Sequence, residues 1–237
     1  MNFLKLFIPP ILLIFFKKIG IKLSKSKNER VFPELTKINS YSQSYEDLII
    51  DAILNKKIGF YVDVGANDPD HLSNTKRFYD KGWSGINVEP QIGKIKDFER
   101  SRERDVNVNY GIAEANGELN FYELAISTLS SFNYQEACRN CKKFNTKIST
   151  IRKVGVRRLD SLFEEFLPKG VQIDFLSIDT EGFEMEVLKS NDWSKFRPVL
   201  IVIEFGSNLY EIHSFLIDVK YSLVFKNSYN LIYKSFE

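Results

Sequence analysis

Four apolar runs in this chain each close on a carboxylate: FYVD at 60–63, GINVE at 85–89, DFLSID at 174–179 and VLIVIE at 199–204. They are rich in β-branched and aromatic residues, as buried strands prefer. An unpaired carboxylate in such a place is costly, so each needs a partner or a ligand. The segments between them have helical spacing. SQSYEDLIIDAILNKK puts Leu48, Ile49, Ala52 and Ile53 on one face, with Ser42 or Ser44 as cap and Glu46 and Asp47 in the first turn. SNTKRFYDKG predicts a short helix ending at Gly82, KIKDFERSRER a charged helix, and FEMEVLKSN another. Strands alternating with helices predict a parallel sheet covered on both faces, and ligands of such sheets lie beyond the carboxyl ends of the strands.

Other segments are less regular. DVNVNYGI predicts a third strand, and Asn116-Gly117 followed by alternation predicts a hairpin. Residues 127–154 form a polar, basic insertion carrying Arg139, Lys142, Lys143, Lys147, Arg152 and Lys153. Such a run is most often a solvated face, and it could also meet a diphosphate carried by a sugar substrate. VRRLDSLFEEFL predicts an extended piece and an amphipathic helix, and the chain ends in a helix plus hairpin-like strands. Trp83 is expected to pack under the sheet. Cys138 and Cys141 are the only cysteines and His71 and His213 the only histidines; a zinc site needs about four ligands, and the expectation is two cysteines on one helical face by chance.

A length of 237 residues suits one α/β domain, expected over 40–237, and a net charge of +2 argues against nucleic acid as partner. The segment 1–30 stands apart. Its apolar stretch Leu6–Phe16 is 11 residues, too short to span a bilayer, and seven Lys/Arg fall between Lys5 and Arg30. It is either an interfacial anchor at the inner face of a membrane or a helix packed on protein, and the expected compartment is the cytoplasm.

At the strand tips, Gly65 lets a ligand approach the backbone, and Glu89 stands where an acid can bind a ribose diol. A nicotinamide cofactor would call for G-x-G-x-x-G; this chain has G-A-N-D-P-D, whose carboxylates repel a pyrophosphate. A nucleoside with an ammonium or sulfonium tail fits better.

In order and spacing, YSQSYEDLII, YVDVGANDP, SNTKRFYDKGWSGINVEP, VNVNYGI, VRRLD and IDFLSIDTEGFEMEVL resemble the FkbM-type S-adenosylmethionine-dependent methyltransferases, over about residues 41–205. The resemblance implies a class I methyltransferase fold (Rossmann-like): a seven-stranded, mostly parallel sheet with its last strand antiparallel and helices on both faces. It implies S-adenosylmethionine as cofactor and O-methylation of a sugar, free or nucleotide- or lipid-linked, in bacterial surface-glycan assembly (capsule, O-antigen or lipooligosaccharide). A non-sugar metabolite as acceptor, or a non-catalytic nucleotide-binding module, is the alternative. Position by position, Asp63, Gly65 and Asn67 match the methionine-binding motif and Glu89 the ribose acid. Asn109 to Gly111 lie where adenine packs, and Asp179 matches the acid beside the methyl group. The chain departs from the class pattern at Asp68-Pro69-Asp70, which leaves Ser73, Asn74 and Thr75 as substitutes at the methionine end.

A sugar hydroxyl needs a base, worth roughly 10²–10⁴ in rate. Asp179 is the first candidate, Glu181 the second and His71 the third, although His71 in its polar loop also suits a solvated or substrate-contacting role. Asp179, Glu181 and Glu204 could instead gather a divalent metal, the less favoured route, and Glu204 could simply hold a loop. The sequence leaves the oligomeric state open.

Overall fold

The computed structural model describes residues 39–236. The expected anchor or packed helix at 1–30 lies outside them. In chain order the first half runs α1 (Glu46–Leu54), β1 (Phe60–Val64), α2 (Lys76–Asp80), β2 (Ser84–Val88), α3 (Ile92–Ser101), β3 (Val106–Val108), β4 (Gly111–Ile112) and β5 (Gly117–Leu124). After a 3-10 turn at Ser127–Leu129 come α4 (Tyr134–Lys143), β6 (Ile148–Arg157), α5 (Leu159–Phe166), β7 (Phe175–Ile178) and α6 (Glu184–Lys189). The chain closes with β8 (Leu200–Glu204), α7 (Leu209–Asp218), β9 (Tyr221–Lys226) and β10 (Asn230–Ser235).

Seven strands form one sheet in the order β3-β2-β1-β7-β8-β10-β9. β10 runs antiparallel to both its neighbours, and the other pairings are parallel. The class I fold expected from the sequence is therefore the observed one. Alternation along each strand feeds two cores. Phe60, Val62, Val64, Leu176 and Ile178 point to one, with α5 and α7 supplying Leu159, Leu162, Phe163, Ile212 and Leu216. Tyr61 and Phe175 point to the other, where Ile50 of α1 and Phe78 of α2 cover them. Trp83 is fully buried there, its ring 4.9 Å from Phe78 and its N–H bonded to the Lys57 carbonyl.

Several local expectations change. The buried stripe of α1 centres on Ile50, with Ile49 and Ile53 at its margin. Glu46 and Asp47 are fully buried rather than solvated. Glu46 accepts from the Asn227 and Asn230 amides and from the Ser44 N–H. Neither serine is the cap residue: Tyr45 takes that position with no side-chain cap bond, while the Ser42 hydroxyl, from outside the helix, receives the Asp47 N–H. The stretch DVNVNYGI is two strands in different sheets: β3 joins the large one, and β4 pairs in parallel with β6. β5 does not fold back across Asn116-Gly117. It pairs antiparallel with β6, which lies beyond α4, so the insertion completes a three-stranded sheet β4-β6-β5. The Asn116 side chain instead accepts the Arg158 N–H.

Candidate active site

β1, β2, β7 and β8 all deliver their carboxyl ends to one side of the sheet, and a cavity of about 250 Å³ opens there. Gly65, Ala66, Asn67, His71, Leu72 and Asn74 line it from the loop after β1. Glu89, Pro90 and Gln91 line it after β2, Asp179, Thr180 and Glu181 after β7, and Glu204 ends β8. The far wall comes from Phe121 of β5 and from the insertion, with Ser127, Thr128, Leu129, Phe132 and Phe144.

Gly65 has φ +82, and a Cβ there would overlap the carbonyl oxygen of Asp179. The Asp179 N–H bonds to the Val64 carbonyl at 3.0 Å. Only glycine lets the tips of β1 and β7 meet so closely.

Glu89 is almost fully buried, and both its oxygens receive main-chain donors, Asn67 N–H at 2.8 Å and Gln91 N–H at 2.7 Å. Burial nevertheless pushes its carboxyl up to about 7. Asp63 does not line the cavity. It lies beneath the β1 loop, accepting from the Thr75 hydroxyl at 3.0 Å, and burial raises it to about 6. Ser73 and Thr75 are buried under the loop with it, their hydroxyls 3.2 Å apart. Asn74 does face the cavity, steadied by Ser177 at 3.1 Å. Asn109 braces the wall by donating to the carbonyls of Glu89 and Pro90. Gly111 lines the cavity and leaves room for the Phe132 ring packed against it.

Asp179, Glu181 and Glu204 each place a carboxylate oxygen within 4.8 Å of the other two. The accessible surface of Asp179 faces the cavity, and protein crowds it on the other sides. Loss of hydration, then the Glu204 carboxylate, raises its proton affinity well above the usual range. Burial likewise pushes Glu181 and Glu204 up to about 8, with Asp179 adding to the first and Glu181 to the second. All three acids therefore hold protons more tightly than free carboxyls do. Glu181 has φ 52, a left-handed backbone. The insertion holds it there: Ser131 donates to its carbonyl at 2.7 Å and Asn140 to its carboxylate at 3.1 Å. Next to it, Asn133 donates to the Gly182 carbonyl at 3.3 Å.

A family model described as the methyltransferase FkbM domain matches residues 63–227. The chain belongs to the FkbM methyltransferase domain family. Membership points to a methyltransferase. The crystal structure of Methyltransferase FkbM from Methylobacillus flagellatus KT is similar with a TM-score of 0.50 and 13% identity, over 75% of this chain and 44% of that one. This is a likeness of fold, and the chain spans less than half of that protein. No curated protein gives a significant match.

In this FkbM domain the cavity brings together His71, Glu89, Asp179 and Glu181 from the loops after β1, β2 and β7. Asp63, Ser73, Thr75 and Asn109 stand behind its wall. Sequence reasoning passed over Asn140, hidden in a basic stretch, and Arg102, one of several charges in the expected charged helix KIKDFERSRER. The side chain of Arg102 is 1% exposed.

Proposed function

We propose that this domain is an S-adenosylmethionine-dependent O-methyltransferase whose acceptor is a sugar hydroxyl, in bacterial surface-glycan assembly. One observation carries the reading. A single cavity holds an anchored acid, Glu89, at the end of β2 and three acids at the ends of β7 and β8, and among the described residues no Lys or Arg lines it. Such a wall repels pyrophosphate and suits a ligand with a ribose diol and a positive tail. Asn67 adds a buried side-chain oxygen without a hydrogen-bond partner, an acceptor that an ammonium group would satisfy. The residues therefore fit S-adenosylmethionine, with Glu89 toward the ribose and Asn67 and Asn74 toward the amino-acid end.

Once bound, the donor supplies an activated methyl carbon with its own leaving group. The chain must then align an oxygen and take its proton. Our candidate for the base is Asp179, supported by its neighbours Glu181 and Glu204, which can share the proton; His71, on an exposed part of the loop, suits contact with the acceptor. The spacing of the trio also favours a second version of the chemistry, in which a hard divalent cation polarises the acceptor hydroxyl.

Calorimetry with S-adenosylmethionine, followed by a mass-spectrometric screen of free and nucleotide-linked sugars for gain of one methyl group, tests the reading. Donor binding and a methylated sugar are expected. A folded protein that binds no donor would leave a nucleotide-binding module, and methylation of only non-sugar acceptors would move the substrate class. Loss of activity with a chelator and its return with Mg²⁺ would select the cation version.

Among the described residues no helix is long and apolar enough to cross a membrane.

A further inference from the structure

The loop Gly65–Thr75 supplies five of the cavity's side chains, Ala66, Asn67, His71, Leu72 and Asn74, yet it contains no helix or strand. Two of its non-glycine residues adopt left-handed backbone, Asn67 with φ 50 and Leu72 with φ 55. Such conformations persist only where the surroundings over-determine them. The ends of the loop are tied to the sheet: Gly65 and Ala66 N–H groups bond to the Val88 carbonyl, and Thr75 bonds to Asp63. Between the ends, Asp68 accepts the Asp70 and His71 N–H groups and meets Lys94 at 3.5 Å, the Ser73 N–H donates to the Tyr41 carbonyl, and one buried side chain grips the loop from beneath.

That side chain is Arg102, just past α3. One terminal nitrogen donates to the Pro69 carbonyl and to the Ser73 hydroxyl at 3.3 Å. The other donates to the Tyr61 hydroxyl at 3.0 Å and lies 3.8 Å from Asp105. Tyr79 and Phe98 flank the guanidinium, 4.7 and 5.8 Å from its carbon. Asp105 is anchored in turn by Tyr61, Asn87 and the Gly85 N–H. A buried charge with this many partners fixes whatever it touches. Ser73 passes the constraint on, since its hydroxyl also meets Thr75 and receives the Lys76 N–H.

We propose that Arg102 is a positioning residue for the methyl donor: from beneath the cavity it clamps the β1 loop in the shape that presents Asn67 and Asn74. The clamp also serves Glu89, whose carboxylate takes the Asn67 N–H from the same loop. A lysine keeps the charge and loses the planar fork that reaches Pro69, Ser73 and Tyr61 together. The donor half of this inference rests on the function proposed above, and the loop half does not.

The test compares Arg102→Lys with Tyr221→Phe, which removes a buried hydrogen bond to the Pro198 carbonyl at the far edge of the sheet. Amide hydrogen exchange should show lost protection confined to 65–75 in Arg102→Lys and unchanged loop protection in Tyr221→Phe. The dissociation constant for S-adenosylmethionine should rise roughly tenfold or more in Arg102→Lys, with kcat at saturating donor changed much less. If Arg102→Lys fails to fold, Ser73→Ala, which removes one anchor point, should loosen the same loop to a smaller degree. Wild-type loop protection in the variant, or loosening spread evenly over the sheet, overturns the proposal. So does a loosened loop with wild-type donor affinity. If the wild type itself binds no donor, the proposed function fails separately, and the exchange map alone decides whether the clamp exists.

Discussion

Glu89 and Glu181 line the same cavity and are held in opposite ways. Both oxygens of Glu89 take main-chain N–H groups from the strand–loop junctions that define the fold. Glu181 takes one side-chain amide, from a helix inserted between β5 and β6, and otherwise faces the carboxylates of Asp179 and Glu204. An anchor made of backbone survives most substitutions, because every residue but proline has the same N–H. An anchor made of one asparagine depends on that asparagine. In the proposed function, the donor end is thus built into the sheet, and the acceptor end is assembled from parts that can be exchanged while the sheet stays unchanged.

The sharpest way to break this contrast is at the acceptor end. Asp179→Asn keeps shape and removes basicity, so turnover should fall by roughly 10²–10⁴ while donor affinity changes far less. Activity within a few-fold of wild type would move the base to Glu181 or His71. Next in size, Glu89→Ala should weaken donor binding by about 2–3 kcal/mol in calorimetry, the usual loss for charge-assisted hydrogen bonds. Unchanged affinity would remove Glu89 from the donor site. Asn140→Leu should release Glu181 and raise KM for the acceptor several-fold, leaving donor affinity as it was. A change in donor affinity instead would erase the division between the two ends.

The smallest effect is one of pH. Glu89, Glu181 and Glu204 all hold protons more tightly in the fold than their ordinary value near 4.5. The native state therefore binds more protons than the unfolded one, and stability without ligand should fall as pH rises from about 4.5 to about 8. Melting temperatures across that range check the sign. A cationic donor should reverse the trend, binding tighter as pH rises through 7 to 8 and the carboxylates ionise.

The large sheet was legible because strand composition and helical spacing are local signals, and each acid-tipped run kept its place. The small sheet was not. Asn116-Gly117 marks where β5 starts, but no local signal says that its partner waits beyond α4. Buried charge was equally hidden. Arg102, Asp105 and Glu46 are ordinary charges in sequence, and only tertiary contact shows that their side chains are buried against hydrogen-bond partners. Asp63 was expected to need a partner, and it found one inside the chain in Thr75 rather than at the cavity surface.

The central pairing of β1 with β7 has a consequence for the order in which the molecule comes into being. The Phe60 N–H bonds to the Asp174 carboxylate, 114 residues later, and the site's last acid, Glu204, ends the strand after that. A chain emerging from the ribosome has Glu89 and its loop long before it has any member of the trio. During that interval β1 offers an open edge on the side that β7 will fill. The insertion is also made in this window, before the turn it grips at Glu181 exists. The cavity's last lining residue, Asn230, opens β10, so its walls are complete only after that strand has been made.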